Sequence, residues 1–349
     1  MTEPIIDGLG MGPDGEREAE ENEARPWRYR LALPALLAHR TAGLFGWGAA
    51  SGFRIVHFHD IPDEQTTAFT LFAEAVVQRH GTIAPQDAEA WLAGTPPDWA
   101  AAPRAGRLPC LFSFDDGFAS NYRIARDVLA PLGIKALFFI APGLIGLPQD
   151  EQRERIAWTI FDGAVATDEL APDLRLMTWE EITSLKDMGH TIGAHGMLHR
   201  QLTRLAGDEL DWEIIEAGVE LTARLGAPAA WYAYAFGDIG SISRSAIELI
   251  DAHYRYCRSG VRGVNDRATA PLALRSEDIE LSAPLAYQKL TAEGGLDGFY
   301  REERDHLDQV VSPLPELPDD DDDPDWQGPG AAAGQLSQPA GKSSDSGNA

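Results

Sequence analysis

Two short stretches concentrate groups able to do chemistry. "FSFDDGFASNY", Phe112–Tyr122, ends an apolar run in two adjacent carboxylates, Asp115 and Asp116. "IGAHGMLHRQL" carries His195 and His199, with three residues between them. Neighbouring anions repel and are costly to desolvate, so placing two at the end of a buried strand calls for a cation. Two imidazoles at this spacing reach one metal ion from a helical turn or a tight loop. A carboxylate from another strand end completes a site of two histidines and one acid. Three protein ligands plus water is the open arrangement of a catalytic zinc, and the same donors suit cobalt, nickel or iron. One carboxylate is then neutralised as a ligand, while the other stays ionised beside a water whose proton it can take.

The elements that must position these residues alternate along the chain. "FRIVHFHDI" sets Ile55, His57 and His59 against Val56, Phe58 and Asp60, as a strand does. Helices are expected around Phe69–His80 and Pro85–Leu92. "CLFSF" is a strand ending at the Asp pair, and the helix after it puts Ile124, Val128, Leu129 and Leu132 on one face. "KALFFIA" is the next strand. "TWEE" is a capping box, with Thr178 as N-cap and Glu181 three residues on. "HTIGAH", "AWYAYAF" and "YRYCRS" are further strands, separated by helices over 207–225 and 245–252. This serial pattern predicts one parallel α/β domain, either a barrel or an open sheet. In both, functional residues gather at the C-terminal ends of strands. Asp115, Asp116, His195 and the segment Phe236–Asp238 are at such ends.

The chain has 349 residues, with 29 Lys and Arg against 55 Asp and Glu, a net charge of −26. Residues 1–26 carry −6 and residues 313–349 carry −7, which leaves −13 for the part between. The two ends read as a disordered acidic arm and a disordered acidic tail around a single domain at 27–312. An acidic domain excludes a broad phosphate-backbone contact, so no nucleic-acid partner is expected. The 2 cysteines, Cys110 and Cys257, read as small buried residues without a disulfide. No apolar run is long enough to span a membrane. The acidic start is not a signal peptide as written, which favours the cytoplasm. An internal start ahead of "RYRLALPALLAHRTAGLFGWGAA" is the alternative.

"FSFDDGFASNY", "GIKALFFIAPGLI", "MTWEEITSLKDMGHTIGAHGMLHRQL" and "AYAFGD", in this order, resemble the polysaccharide deacetylases with the NodB homology domain, carbohydrate esterase family four. The resemblance covers about 54–281. It implies a distorted (β/α) barrel and a divalent metal, most readily zinc. It implies that Asp115 is the general base and that Asp116, His195 and His199 are the metal ligands. Many members carry a catalytic His in a C-terminal L-x-x-H motif, which is not found after Leu281; His306 lies in a polar helical stretch. A subset with an N-terminal "YHDI" strand is similar to "FHDI" here, making His59 the candidate acid, with His57 on the same face.

Two departures stand out. The third motif, often R-x-P-[YF] or Y-P-[YF]-G in the family, has Ala235 in the proline position and no arginine two residues earlier. Arg262 or Arg275 is then expected to supply the charge that orients the base. Gly196 replaces the usual Ser or Thr after the first histidine. The implied reaction is removal of N-acetyl groups from an acetamido-sugar glycan or oligosaccharide. Tyr234 and Phe236 would line the substrate site, and Trp231 and Tyr232 offer sugar-stacking faces or ordinary packing. The competing readings are hydrolysis of a non-sugar amide or imide on the same scaffold, and a non-catalytic glycan-binding protein.

Overall fold

A computed structural model describes residues 26–45, 51–95 and 107–312. The acidic arm and tail expected from composition lie outside the described residues, apart from Pro26. Seven strands form one sheet: β1 Arg54–Phe58, β2 Cys110–Phe114, β3 Ala136–Ile140, β4 Thr191–Ala194, β5 Trp231–Ala233, β6 Tyr256–Arg258 and β7 Glu277–Asp278. Their order is β6-β5-β4-β3-β2-β1-β7, and every pair is parallel. The sheet curls until its edges nearly meet. The Leu274 backbone exchanges hydrogen bonds with Cys257 and Ser259 beside β6. A few residues on, Glu277 and Asp278 pair with Val56 and His57 of β1. Residues 274–278 therefore bridge the two edges, and the fold is the distorted (β/α) barrel expected.

Side-chain alternation divides the strands between two cores. Val56, Phe58, Phe112, Phe114, Phe138 and Ile140 face outward under the helices. Ile55, Leu111, Leu137, Phe139, Trp231 and Ala233 fill the barrel interior. Helix Pro85–Leu92 closes the N-terminal end of the barrel with Ala88 and Trp91, and the Trp231 indole donates to Glu89. β1 is buried on both faces, as suits a parallel strand. The register pairs His57 with Ser113, so the inward series Ile55–His57–His59 and Leu111–Ser113–Asp115 lie side by side.

The predicted helices appear at Thr66–Arg79, Pro85–Leu92, Trp179–Asp187 and Arg244–His253. Thr178 and Glu181 exchange both capping-box hydrogen bonds. The segment before β1 forms helices Trp27–Arg30 and Ala32–Leu44. Arg40 forks onto buried Glu293, which ends helix Leu285–Ala292. Cys110 and Cys257 are free and buried, with thiols pushed up to about 12 by desolvation, so they are inert packing residues. Among the described residues no helix is long and apolar enough to cross a membrane.

Candidate active site

The C-terminal ends of the strands open onto a cavity of about 600 Å³ whose wall includes Asp115, Asp116, His195, His199, His57 and His59. Asp115 continues the inward series of β2, and its N–H donates to the Phe58 carbonyl at 2.9 Å. Strict alternation would turn Asp116 outward. Instead its backbone takes a left-handed φ of +68°, which brings the side chain round to the same opening. His199 (φ +59°) and Phe236 (φ +66°) do the same at the same rim. Left-handed backbone at non-glycine residues carries strain and clusters where side chains must be aimed.

Asp116 Oδ1 lies 3.4 Å from His195 Nε2 and 3.2 Å from His199 Nε2. The other ring nitrogens are both engaged: His195 Nδ1 is 2.7 Å from the Ala233 carbonyl and His199 Nδ1 is 3.0 Å from that of Thr159. A carbonyl only accepts, so each Nδ1 carries a proton and each Nε2 is the nitrogen left to present a lone pair to an ion. Two lone pairs and a carboxylate oxygen then face one point, and Asp116 Oδ1 has no hydrogen-bond partner. A cation satisfies all three. Tetrahedral zinc with bonds of ~2.0–2.1 Å separates its ligands by about 3.3 Å, close to both distances. The carbonyls behind the histidines are the outer partners that fix ring orientation at a metal. Burial holds His199 down to about 4, so its ring is neutral near pH 7. For His195, burial is more than offset by the Asp116 and Asp115 carboxylates, which raise its proton affinity; a metal ion would take that proton's place.

Asp115 is 3% exposed and accepts a hydrogen bond from Arg258 Nη2 on Oδ2. Its Oδ1 has no partner. Burial alone would raise its pKa, but the Arg258 cation more than cancels this, and the carboxyl lies well below the usual range. The guanidinium that holds Asp115 is thus Arg258, the last residue of β6, and neither Arg262 nor Arg275 as expected. Arg262 pairs with Glu277 at 3.3 Å, and Arg275 forks onto Asp308. Both lie beyond the end of β6, whereas Arg258 points into the barrel over the Phe139 ring.

His59 is half-exposed at the mouth, with Nε2 4.0 Å from Asp115 Oδ2. His57 is buried behind it. Phe236 is 38% exposed and rests edge-on against His199. Tyr234 is only 1% exposed, with its hydroxyl donating to the Gly237 carbonyl, so it walls the cavity and offers no open ring face. Trp231 and Tyr232 are core residues, which removes them as sugar platforms.

Glu213 gives no signal in the sequence, yet it holds the loop between the two histidines. Its buried Oε1 accepts from the N–H groups of Leu198 and Arg200, and its own carbonyl accepts from Met197. The only trace is Gly196: a Cβ there would stand 2.4 Å from Glu213 Oε1, at a φ of +74°. Glu213 therefore occupies the space that a Ser or Thr would need. Gly196→Ser should cost about 2 kcal/mol or more in stability and roughly tenfold to a hundredfold in metal affinity. Thermal melting and zinc titration measure the two, and an unchanged pair of values would show that the loop can yield.

The sequence model of the family described as polysaccharide deacetylase matches residues 105–254. Solved structures of similar fold include IcaB from Ammonifex degensii, at 19% identity with 68% of this chain and 97% of that chain covered and a TM-score of 0.51. Streptococcus pyogenes deacetylase PplD, in complex with acetate, is 15% identical, with 70% and 99% covered and a TM-score of 0.51. A de-N-acetylase from Aggregatibacter actinomycetemcomitans is 12% identical, with 68% and 99% covered and a TM-score of 0.50. At these identities the likeness is one of fold. No match is found among curated proteins.

Proposed function

We propose, from the premise that residues 105–254 belong to the polysaccharide deacetylase family, that this chain removes N-acetyl groups from an acetamido-sugar glycan or oligosaccharide. The chain is a hydrolase of carbon–nitrogen bonds. The finer reading assigns zinc to Asp116, His195 and His199. The observation that carries it is the convergence of two imidazole Nε2 atoms and a carboxylate oxygen without a hydrogen-bond partner on one point. When bound there, a divalent ion polarises an amide carbonyl and makes water acidic near neutral pH.

The chain's own residues do the rest. Asp115 Oδ1, free of any partner, takes the proton of the attacking water, and Arg258 keeps that carboxylate ionised and aimed. A backbone N–H near Phe236 helps the developing oxyanion. His59 reaches the opposite side of Asp115 and gives a proton to the departing amine, which leaves poorly as an anion. Phe236 offers the one open aromatic face among the predicted substrate residues, against which a sugar ring can stack.

The test is acetate release from chitin oligosaccharides and from oligomers of β-1,6-linked N-acetylglucosamine after zinc loading. General acid–base groups contribute about 10²–10⁴ in rate. Asp115→Asn and His59→Ala should each lose roughly that much while keeping the metal. No acetate from any acetamido sugar by the zinc-loaded wild type would sink the substrate assignment.

A further inference from the structure

A second group of ligating side chains stands beside the first. Donor atoms of His57, His59 and Asp278 all lie within 4.8 Å of one another. β1 supplies His57 on its inward face, His59 follows just past its end, and β7 places Asp278 in register with His57. His57 Nε2 is 3.9 Å from Asp278 Oδ1, and the two imidazole rings meet edge-on at 5.5 Å. His57 is 4% exposed and its Nδ1 has no hydrogen-bond partner. Desolvation, reinforced by the Arg258 charge, keeps it well below the ordinary histidine range, so it is held as a neutral ligand. The cavity wall favours cations: five carboxylates line it against Arg258 and Arg262. Both arginines are already paired, with Asp115 and Glu277.

We propose that His57, His59 and Asp278 form a second, weaker divalent-cation site whose filling shuts the reaction off. Only the inhibition rests on the proposed role of His59 as proton donor. A cation there occupies the His59 nitrogen that would carry the donated proton, so the amine has no proton donor and does not depart. Binding is weaker for three reasons. His59 and Asp278 are half-exposed. Neither histidine has the carbonyl partner that orients His195 and His199. The 3.9 Å separation must also close toward about 3.3 Å for a tetrahedral ion.

Zinc titration into the chelator-stripped full chain, read by equilibrium dialysis with elemental mass spectrometry, tests this. The wild type should bind two equivalents, the second at least about tenfold weaker. Acetate release should rise with the first equivalent and fall with the second. Asp278→Asn, at an exposed position, should keep the first equivalent, lose the second, and abolish the fall. His195→Ala should lose the first. A single equivalent in the wild type, lost in His195→Ala and followed by no fall at high zinc, overturns the second site and leaves the proposed function standing. A second equivalent that persists in both Asp278→Asn and His57→Ala lies elsewhere on this acidic chain and also overturns it. A missing first equivalent beside a second that Asp278→Asn removes supports this site and sinks the catalytic one.

Discussion

Asp116→Ala should leave the chain folded, bind no tight zinc, and lose acetate release by about a thousandfold or more. The size follows from what the site supplies: several kcal/mol of transition-state stabilisation from the metal, at ~1.4 kcal/mol per tenfold in rate. The folded state should survive, because Asp116 makes no hydrogen bond that its loss would orphan; its Oδ1 has no partner other than the two facing imidazoles. In chelator the variant lacks the carboxylate that raises the proton affinity of His195, so it should melt somewhat lower than the wild type, whereas in zinc the wild type alone should gain further stability by mass action. Calorimetry with and without zinc reads both. Equal zinc stabilisation in wild type and variant would remove Asp116 from the ligand set.

The parts of the site that were legible in the sequence share a property: their signals are local. An Asp pair closing an apolar run marks a strand end, and a four-residue histidine spacing marks two ligands on one turn. Alternation along "FRIVHFHDI" sets His57 and His59 on one face, and the barrel turns that face and Asp115 inward. It took the pairing of His57 with Ser113 to bring His59 and Asp115 4.0 Å apart. Arg258 was harder, because its partner lies 143 positions away. Three arginines follow one another closely in that region, and the choice depends on where β6 ends and which face it shows. The clue was Cys257: a small buried residue facing the outer core forces Arg258 inward. Glu213 was illegible, since nothing in its helix distinguishes it from Glu216 or Glu220. Only the glycine at 196 bears on it, because a Cβ there would meet the Glu213 carboxylate.

The aromatic residues near the third motif show the opposite failure. Trp231, Tyr232 and Tyr234 are the residue types that stack on sugars, but a barrel needs large side chains to fill it and its outer layer. The strand therefore spends them on packing. Phe236, just past the strand end and in a left-handed turn, is the one left at the mouth. Position relative to the strand's end, more than residue type, decides which aromatic reaches the cavity mouth.

Arg258→Met should show how far the base depends on its cation. In the wild type the Asp115 carboxyl lies below its unfolded value of about 3.9. The pair's contribution to stability is therefore complete above that value and fades as pH falls through the lower, folded one. Methionine leaves Asp115 at 3% exposure without its arginine, so desolvation becomes the dominant influence and moves the folded pKa upward. Breaking a buried pair costs roughly 3–5 kcal/mol, or a melting temperature lower by about 6–20 °C for a domain of this size. The sign of the pH dependence now reverses. At neutral pH the variant must bury an ionised carboxylate, whereas nearer the raised pKa it buries a neutral acid. In chelator, the gap in melting temperature between wild type and variant should narrow as pH is lowered from 7 to 5. With zinc present, the acid limb of kcat/KM for acetate release should move to higher pH, because a base that holds its proton cannot take another from water. Arg258→Lys restores the charge with a single donor in place of the fork, and should recover the limb more fully than the rate. A melting gap that stays constant with pH, together with an unmoved acid limb, would mean that Arg258 supports the barrel and leaves the base untouched.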